Sequence, residues 1–250
     1  MGLLEQKASP VEEINPFPNI CIYGPAGAGK TTLASEAPSP AWLDYEDSTD
    51  IIKHMVKQGK LNPAGIGIWK PASVDESWEL AREIIKSKKH ETIVIDTSTR
   101  MQVMQMRQFI QNHPTVKPTG NGKATRDEFT VFQADYGNSY RVLDKFYDWL
   151  CKQPIRVIIL THAKEMYKQT TDEKGQSFSQ LIKIEPDLTP KLTKSLQELF
   201  SVVGYLTAKP GAGNVERKLR VNPSNIIVAK NRLGIQEQEI TNPTYKRITD

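Results

Sequence analysis

The feature that most constrains the fold is a glycine-rich octapeptide that separates two different sequence patterns. "GPAGAGKT" (24–31) follows the apolar run "NICIY" (19–23), and a helical pattern begins within it at Lys30. A buried strand, a tight glycine turn and a helix form the repeating unit of parallel sheets that are covered by helices. Because the rest of the chain repeats this alternation, the sequence predicts an α/β domain with a mostly parallel central sheet.

Short apolar runs and longer amphipathic runs alternate along the chain. Strands are predicted at 19–24, 41–45, 65–70, 92–96 and 155–160. Helices are predicted from Lys30 and at 49–58, 73–89, 130–152 and 188–200. The expected antiparallel parts are a hairpin around "DEKG" within 166–180 and final strands near 201–207, 217–221 and 225–230. The segment 111–128 is rich in Pro, Gly and Asn, and is predicted to be a long loop.

Length and composition favour one domain in a reducing compartment. A chain of 250 residues can bury one sizeable core, and we expect a lead (1–18), a core (19–235) and a tail (236–250). No apolar run approaches the roughly 18 residues of a membrane span, and the first residues lack a signal-peptide pattern. Cys21 and Cys151 are expected to be reduced thiols. These observations predict a cytoplasmic protein without a membrane partner.

The octapeptide matches G-x-x-x-x-G-K-[ST], and its position between a strand and a helix gives the match a mechanism. Gly24, Gly27 and Gly29 let successive backbone N–H groups point at phosphate oxygens. Lys30 is expected to reach the β- and γ-phosphates of ATP, and the Thr31 hydroxyl to ligate Mg²⁺. An ordinary glycine-rich turn is the alternative. The residues predicted to bind the nucleotide are Gly24, Pro25, Ala26, Gly27, Ala28, Gly29, Lys30, Thr31, Thr32 and Asp96.

A second metal ligand is expected at the end of the strand "TIVID" (92–96). Asp96 lies at the carboxyl end of this strand, where open α/β sheets bind ligands; the alternative is an acid that merely ends the strand. Many ATPases place a water-activating glutamate directly after this aspartate, but Thr97 stands there. We therefore predict Glu46, which follows the neighbouring strand, as the catalytic base. In the alternative, the acids of 44–47 form a solvated turn that caps the next helix.

This order of parts resembles the RecA-like recombinase core. In that family an "hhDxE" strand end supplies the catalytic glutamate, an "hhhD-Ser/Thr" strand holds the metal, and a later strand ends in a polar sensor. The resemblance covers about residues 19–235 and is closest to short phage-encoded RecA/RadA-type ATPases that act as single-strand annealing proteins. It implies that His162, in "VIILTHA", senses the γ-phosphate where RecA has an amide. A buried strand-end histidine is the alternative.

Two basic residues late in the chain are implied to act on a neighbouring subunit. "IIVAKNRLG" resembles the strand whose basic pair reaches the neighbour's γ-phosphate in RecA-type filaments and rings. Lys230 and Arg232 alternate onto one face of such a strand and can point at one target. Because such cations stabilise transition-state charge, the resemblance implies a homo-oligomer, either ring or filament. A basic pair that protects an edge strand from aggregation is the alternative.

Two loops are implied to hold single-stranded DNA. In RecA-like recombinases the segments after the metal strand and after the sensor strand line the central axis. Basic side chains there would contact phosphates, and an aromatic ring would stack on a base. The implied residues are Lys117, Lys123 and Arg126 in the first loop and Lys168, Lys174 and Phe178 in the second. Solvated loops are the alternative, and a second basic run contains Lys209, Arg217, Lys218 and Arg220.

The sequence thus favours an ATP-hydrolysing phage recombination protein that binds single-stranded DNA and promotes annealing as an oligomer. Mg²⁺ is the expected cofactor, and a single-strand-binding protein is a candidate partner. The main alternative is a nucleotide-switched loader or interaction ATPase, which would keep the same site without DNA-dependent turnover. A small-molecule kinase is less favoured, because the polar loop 111–128 carries one arginine rather than an arginine-rich lid.

Overall fold

The computed structural model describes residues 17–113, 115–116, 124–125, 131–172, 175–210 and 215–250. The strands are β1 (Ile20–Gly24), β2 (Pro40–Asp44), β3 (Gly67–Trp69), β4 (Thr92–Asp96), β5 (Thr115–Val116), β6 (Ala124–Thr125), β7 (Arg156–Thr171), β8 (Ser177–Pro186), β9 (Val202–Pro210), β10 (Val215–Arg220), β11 (Lys230–Asn231) and β12 (Glu239–Thr241). The helices are α1 (Lys30–Ala34), α2 (Asp50–Lys57), α3 (Val74–Ser87), α4 (Ser98–Asn112), α5 (Gln133–Cys151), α6 (Pro190–Leu199) and α7 (Tyr245–Thr249). Within these ranges, no helix has the length and hydropathy needed to cross a membrane.

Six of the described strands form the parallel centre of the main sheet, in the order β9-β1-β7-β4-β2-β3. β10 and β12 extend it antiparallel beyond β9, and β8 pairs antiparallel with the outer half of β7. This architecture confirms the predicted fold class, a mostly parallel sheet flanked by helices with an antiparallel C-terminal extension. Because β7 separates β1 from β4, the carboxyl ends of these two strands lie on either side of residues 160–162 in the middle of β7.

Helices cover both faces of the sheet. On one face, Tyr23, Leu43 and Ile95 pack among side chains of α3, α4, α5 and α6. On the other face, Ile22 and Trp42 pack among side chains of α1, α2 and α7. Successive side chains of a strand point to opposite faces, so a sheet covered on both faces requires apolar residues at every position. The uninterrupted apolar runs of β1 and β4 follow from this.

Helix α4 is the largest element that the sequence reading missed. Its sequence, "STRMQVMQMRQFIQN", is mostly polar, and only a few of its side chains, such as Met101 and Ile110, are buried. A mostly polar helix with one narrow buried stripe gives a weak periodic signal. The helix also ends at Asn112, inside the segment predicted as a loop from residue 111.

The predicted strand near 225–230 is wrong, since only Lys230–Asn231 are paired with β9. The backbone of residues 226–228 instead bonds to Ile184 of β8: the N–H of Ile184 donates to the carbonyl of Ile226 at 2.8 Å, and the N–H of Val228 donates to the carbonyl of Ile184 at 3.0 Å. The backbone of this apolar run therefore forms hydrogen bonds with β8 of the hairpin and not with a strand of the main sheet.

Residues 236–250, predicted as a tail, pack onto the core. β12 pairs with β10, and its Ile240 is buried. Tyr245 and Ile248 of α7 are buried in the same cluster as Leu33 of α1. These residues therefore contribute to the domain that carries the glycine-rich loop.

Both cysteines are free thiols, as predicted. Cys21 lies buried in β1, and Cys151 is half-buried at the end of α5. Burial raises the pKa of the Cys151 thiol to about 12 and raises the pKa of Cys21 as well. The thiolate, which is the reactive form, is therefore strongly disfavoured at both positions.

Candidate active site

The phosphate-binding loop (residues 24–31) connects β1 to α1 at the carboxyl edge of the sheet. Gly24 lies against β9, where an added Cβ would come within 2.2 Å of the carbonyl oxygen of Leu206. Gly29 has a φ of 96°, a left-handed conformation that favours glycine. The Nζ of Lys30 turns back into the loop and donates to the carbonyls of Gly24 and Pro25 at 3.0 Å each. The loop thus holds the ammonium group where phosphate oxygens are expected.

Thr31 and Asp96, the two predicted metal ligands, lie in contact. The Thr31 hydroxyl donates to Oδ2 of Asp96 at 2.9 Å, and the Ser48 hydroxyl donates to the same oxygen at 2.7 Å. Hydroxyl and carboxylate oxygens are the hard ligands that Mg²⁺ prefers, so these residues fit the ion. Sequence reasoning missed Ser48, because a serine in a turn carries no pattern.

Burial controls the ionisation of the charged groups around the loop. Desolvation lowers the pKa of Lys30, while the charges of Asp96 and Glu46 oppose this shift. Desolvation also raises the pKa of Asp96, while the hydrogen bonds from Ser48 and Thr31 oppose that shift. A buried ammonium group and a buried carboxylate are both costly when they are unpaired. A ligand that brings phosphates and a cation would therefore relieve both groups.

The acidic turn after β2 serves two purposes. The carboxylate of Asp44 accepts the N–H groups of Glu46 and Ser48 at 3.1 and 3.3 Å, and the Thr49 hydroxyl at 2.8 Å. Asp44 therefore folds the turn, as the alternative interpretation of the acidic segment expects. Asp47 is exposed. The carboxylate of Glu46 instead turns toward His162 in the middle of β7.

Glu46 and His162, predicted as base and sensor, contact each other. His162 Nε2 and Glu46 Oε1 lie 2.7 Å apart, and Arg100 Nε lies 3.4 Å from the same oxygen. The backbone N–H of His162 donates to the hydroxyl of Thr99 at 3.0 Å. His162 is therefore not a core histidine, since its ring is partly exposed and bonds a carboxylate at the sheet edge.

A cleft of about 410 Å³ brings these groups together. It is bordered by Ala26, Gly27, Gly29, Lys30, Thr31, Thr32, Glu46, Ser48, Ile51, Asp96, Thr97, His162 and Arg217. A larger groove of about 860 Å³ continues past Glu46 along α4, where Arg100 and Arg107 line it. One wall of this groove is α4, the helix that was not predicted from the sequence, so the groove could not be predicted either.

The predicted basic pair lies far from this cleft within one chain. Lys230 pairs with Val203, near the start of β9, so it lies toward the amino edge of the sheet, opposite the phosphate-binding loop. Its Nζ donates to the carbonyls of Gln197 and Glu198 at the end of α6. Arg232 is exposed. A role for the pair at a neighbouring subunit stays a prediction.

The two implied DNA loops are described only in part. Lys117, Lys123, Arg126 and Lys174 lie outside the described residues. Lys168 and Phe178 lie in the β7–β8 hairpin, where Lys168 pairs with Gln180 and Thr170 pairs with Phe178. Both side chains therefore project from the same face of the hairpin, and Phe178 is 48% exposed.

The fold and the cleft together define a P-loop ATPase domain. Residues 17–233 match the model of the family described as "AAA domain", and the chain belongs to this family. No curated protein is significantly similar to it in sequence. Among solved structures, the flagellar accessory protein FlaH from Methanocaldococcus jannaschii is similar, with a TM-score of 0.43 and 9% identity, over 90% of this chain and 85% of that chain.

Lys30→Met is expected to weaken ATP binding by about 100-fold, because each hydrogen bond from a charged group to phosphate contributes about 1.5–3 kcal/mol. Methionine keeps the apolar stem, and burial already disfavours the ammonium group of Lys30. Removal of this desolvated group should offset the loss of its hydrogen bonds to the carbonyls of Gly24 and Pro25, so the melting temperature without nucleotide should stay near that of the wild type. Calorimetric titration with ATP measures the loss, and Lys53→Met, which changes an exposed lysine on α2, serves as the control. Unchanged ATP affinity in Lys30→Met would contradict the assignment.

Proposed function

We propose that the chain is a Mg²⁺-dependent ATPase of the phage-encoded, RecA-like type, which binds single-stranded DNA and promotes its annealing as a homo-oligomer. Membership of a P-loop ATPase family supports the ATPase part. The contact between Thr31 and Asp96 supports the metal, and the contact between Glu46 and His162 supports hydrolysis. The proposal of an oligomer depends on Lys230 and Arg232, and the proposal of DNA binding depends on Lys168 and Phe178, all of which lie outside the cleft.

Hydrolysis requires a group that accepts a proton from the attacking water. Glu46 is suited to this role because Oε1 is held by His162 and Arg100, while Oε2 has no hydrogen-bond partner in the described part of the chain. His162 fixes the direction of the carboxylate, and Lys30 neutralises phosphate charge. Bound Mg²⁺ would neutralise charge that develops on the phosphates. This division of roles resembles that of other P-loop ATPases, with the base in the turn after β2, the strand beside β4.

The observation that carries the DNA part of the proposal is the course of β7. Its first half, from residue 156 to 160, lies in the centre of the sheet, and His162 follows at the cleft. The same strand then continues to Thr171 in an exposed hairpin with β8. Lys168 can contact a phosphate and Phe178 can stack a base on one face of that hairpin. DNA bound to the hairpin and a nucleotide bound in the cleft would thus be connected by one continuous strand, β7.

Single-stranded DNA is expected to stimulate ATP turnover. Phe178→Ala is expected to weaken DNA binding by about 5- to 100-fold, because it removes the stacking of one base on the aromatic ring. Lys168→Ala should weaken binding less and reduce the salt dependence by about one phosphate contact. Fluorescence anisotropy with labelled oligothymidylate at low salt, beside phosphate release, measures both effects.

Tyr167→Ala is the matched control, because Tyr167 is exposed on the opposite face of the same hairpin. If turnover ignores DNA and no complex forms at low salt, the annealing proposal fails. A nucleotide-switched interaction ATPase then becomes the better account of the same cleft.

A further inference from the structure

Arg217 is a cation at the phosphate-binding loop that the mechanism above does not use. It lies on β10, and its Nε packs against Gly29, where an added Cβ would come within 2.4 Å of that nitrogen. This Nε is buried, and it has no hydrogen-bond partner in the described part of the chain. An unmet guanidinium N–H in a buried position costs free energy, so an acceptor is expected in the functional state.

The charges around Arg217 point to an anion as that acceptor. Lys30 directly follows Gly29 in the loop, and both cations border the same cleft. No carboxylate bonds the Nε of Arg217 in the described part of the chain: Glu216 pairs with Lys218 at 3.4 Å, and Glu36 accepts the N–H of Tyr245 at 2.9 Å. A polyanion in this cleft would be attracted by both cations.

Arg217 lies at the end of the cleft that is remote from the catalytic groups. β10 is separated from β1 by β9, whereas β4 and β2 lie on the other side of β1. Arg217 also borders an adjoining cleft of about 560 Å³, which shares Gly29 and Thr32 but contains neither Glu46 nor His162. Leu33, Leu206, Val215 and Pro243 supply the apolar part of this second cleft, and Glu36, Asn242 and Thr244 are among its polar residues, a combination that suits a nucleoside.

The backbone of Arg217 is held in place by β12 and the turn after it. The N–H of Arg217 donates to the side-chain oxygen of Asn242 at 3.1 Å, and its carbonyl accepts the N–H of Asn242 at 2.7 Å. A pair of hydrogen bonds to one residue fixes this segment of β10 before any ligand arrives. The backbone that carries the guanidinium is therefore already ordered, and only the side chain has to be ordered when a ligand binds.

We propose that Arg217 is a phosphate ligand within the same chain, which binds the α-phosphate end of the nucleotide while Lys30 binds the distal phosphates. The nucleoside then lies in the adjoining cleft. Because the α-phosphate is common to ATP and ADP, Arg217 contributes to the binding of both nucleotides and not to the hydrolysis step. This assignment rests on the proposed nucleotide binding.

Arg217→Gln is expected to weaken the binding of ATP and of ADP equally, by about 10- to 100-fold. The melting temperature without nucleotide should not fall, because the substitution removes an unpaired cation. Arg217→Lys, which keeps the charge, should recover part of the affinity. Lys218→Gln, on the opposite face of the same strand, is the control and should bind as the wild type does. Calorimetric titrations with Mg·ATP and Mg·ADP measure all four proteins.

Three outcomes would overturn the assignment. Unchanged affinity of Arg217→Gln for both ATP and ADP, with Arg217→Lys also unchanged, would show that Arg217 binds no phosphate. A loss confined to ATP would move Arg217 to the γ-phosphate. A lower melting temperature with unchanged affinity would make it a structural residue only. If the wild-type chain binds neither nucleotide, the proposed ATPase function fails as well, and this result is distinct from the other three.

Discussion

Glu46→Gln is expected to lower the kcat of ATP hydrolysis by about 100-fold or more, because a positioned general base contributes about 10²- to 10⁴-fold. Glutamine keeps the shape of the side chain and an oxygen that can accept a hydrogen bond from His162, but it cannot take a proton from water. ATP binding should persist, since Lys30 and Thr31 are unchanged. Phosphate release under saturating ATP gives kcat, and calorimetric titration gives the affinity.

Asp47→Asn is the matched control for this variant. Asp47 is the next residue in the chain, is exposed and pairs with Lys70 at the surface. A general loss of acidic charge near the turn would affect both variants, whereas loss of a base affects Glu46→Gln alone. Near-normal turnover in Glu46→Gln would mean that the base lies elsewhere.

The Lys230→Ala/Arg232→Ala double variant is expected to lower kcat by about 1,000-fold or more while it still binds ATP, as for other cations that complete a neighbour's site. Both residues lie toward the opposite edge of the sheet from their own phosphate-binding loop, so only a second subunit can bring them to a γ-phosphate. Lys230 also donates to carbonyls at the end of α6, so Arg232→Ala is measured separately, because Arg232 is exposed.

A mixing experiment distinguishes a contribution to the neighbour's site from a defect within the chain. Subunits of Glu46→Gln keep the basic pair, and subunits of the double variant keep the base, so an equimolar mixture contains some complete sites. Turnover should therefore exceed that of either variant alone. Lys194→Ala, which changes an exposed lysine on α6, controls for charge. A double variant with normal turnover would show that the basic pair has no such role.

The parts of the site that lie at the carboxyl edge of the parallel strands were predictable from the sequence. Apolar runs show where the buried part of each strand stops, and parallel strands bring these points to one edge, although β7 continues past its apolar run to Thr171. Thr31, Asp96, Glu46 and His162 therefore converge as soon as the order of strands is known, and the structure brings them together.

Other parts depend on contacts that no local pattern records. Arg217 reaches Gly29 only because β10 folds back antiparallel on β9, and Ser48 reaches Asp96 only because Asp44 folds the intervening turn. The last apolar run was misassigned for a related reason: Ile184 in the hairpin, distant in sequence, satisfies its backbone. Local propensity cannot identify a partner that only tertiary packing selects.

The pairing of β12 with β10 bears on how the protein is produced for experiments. The family match ends at residue 233. Expression of the chain only to that residue would remove β12, α7 and Asn242, which bonds the backbone of Arg217. Without β12, β10 would become an unpaired edge strand, and Leu219 would lose its cross-strand partner Ile240. An uncovered edge of this kind promotes association between chains. Association of such a shortened product could be mistaken for native oligomerisation, so subunit number has to be measured on the full 250 residues.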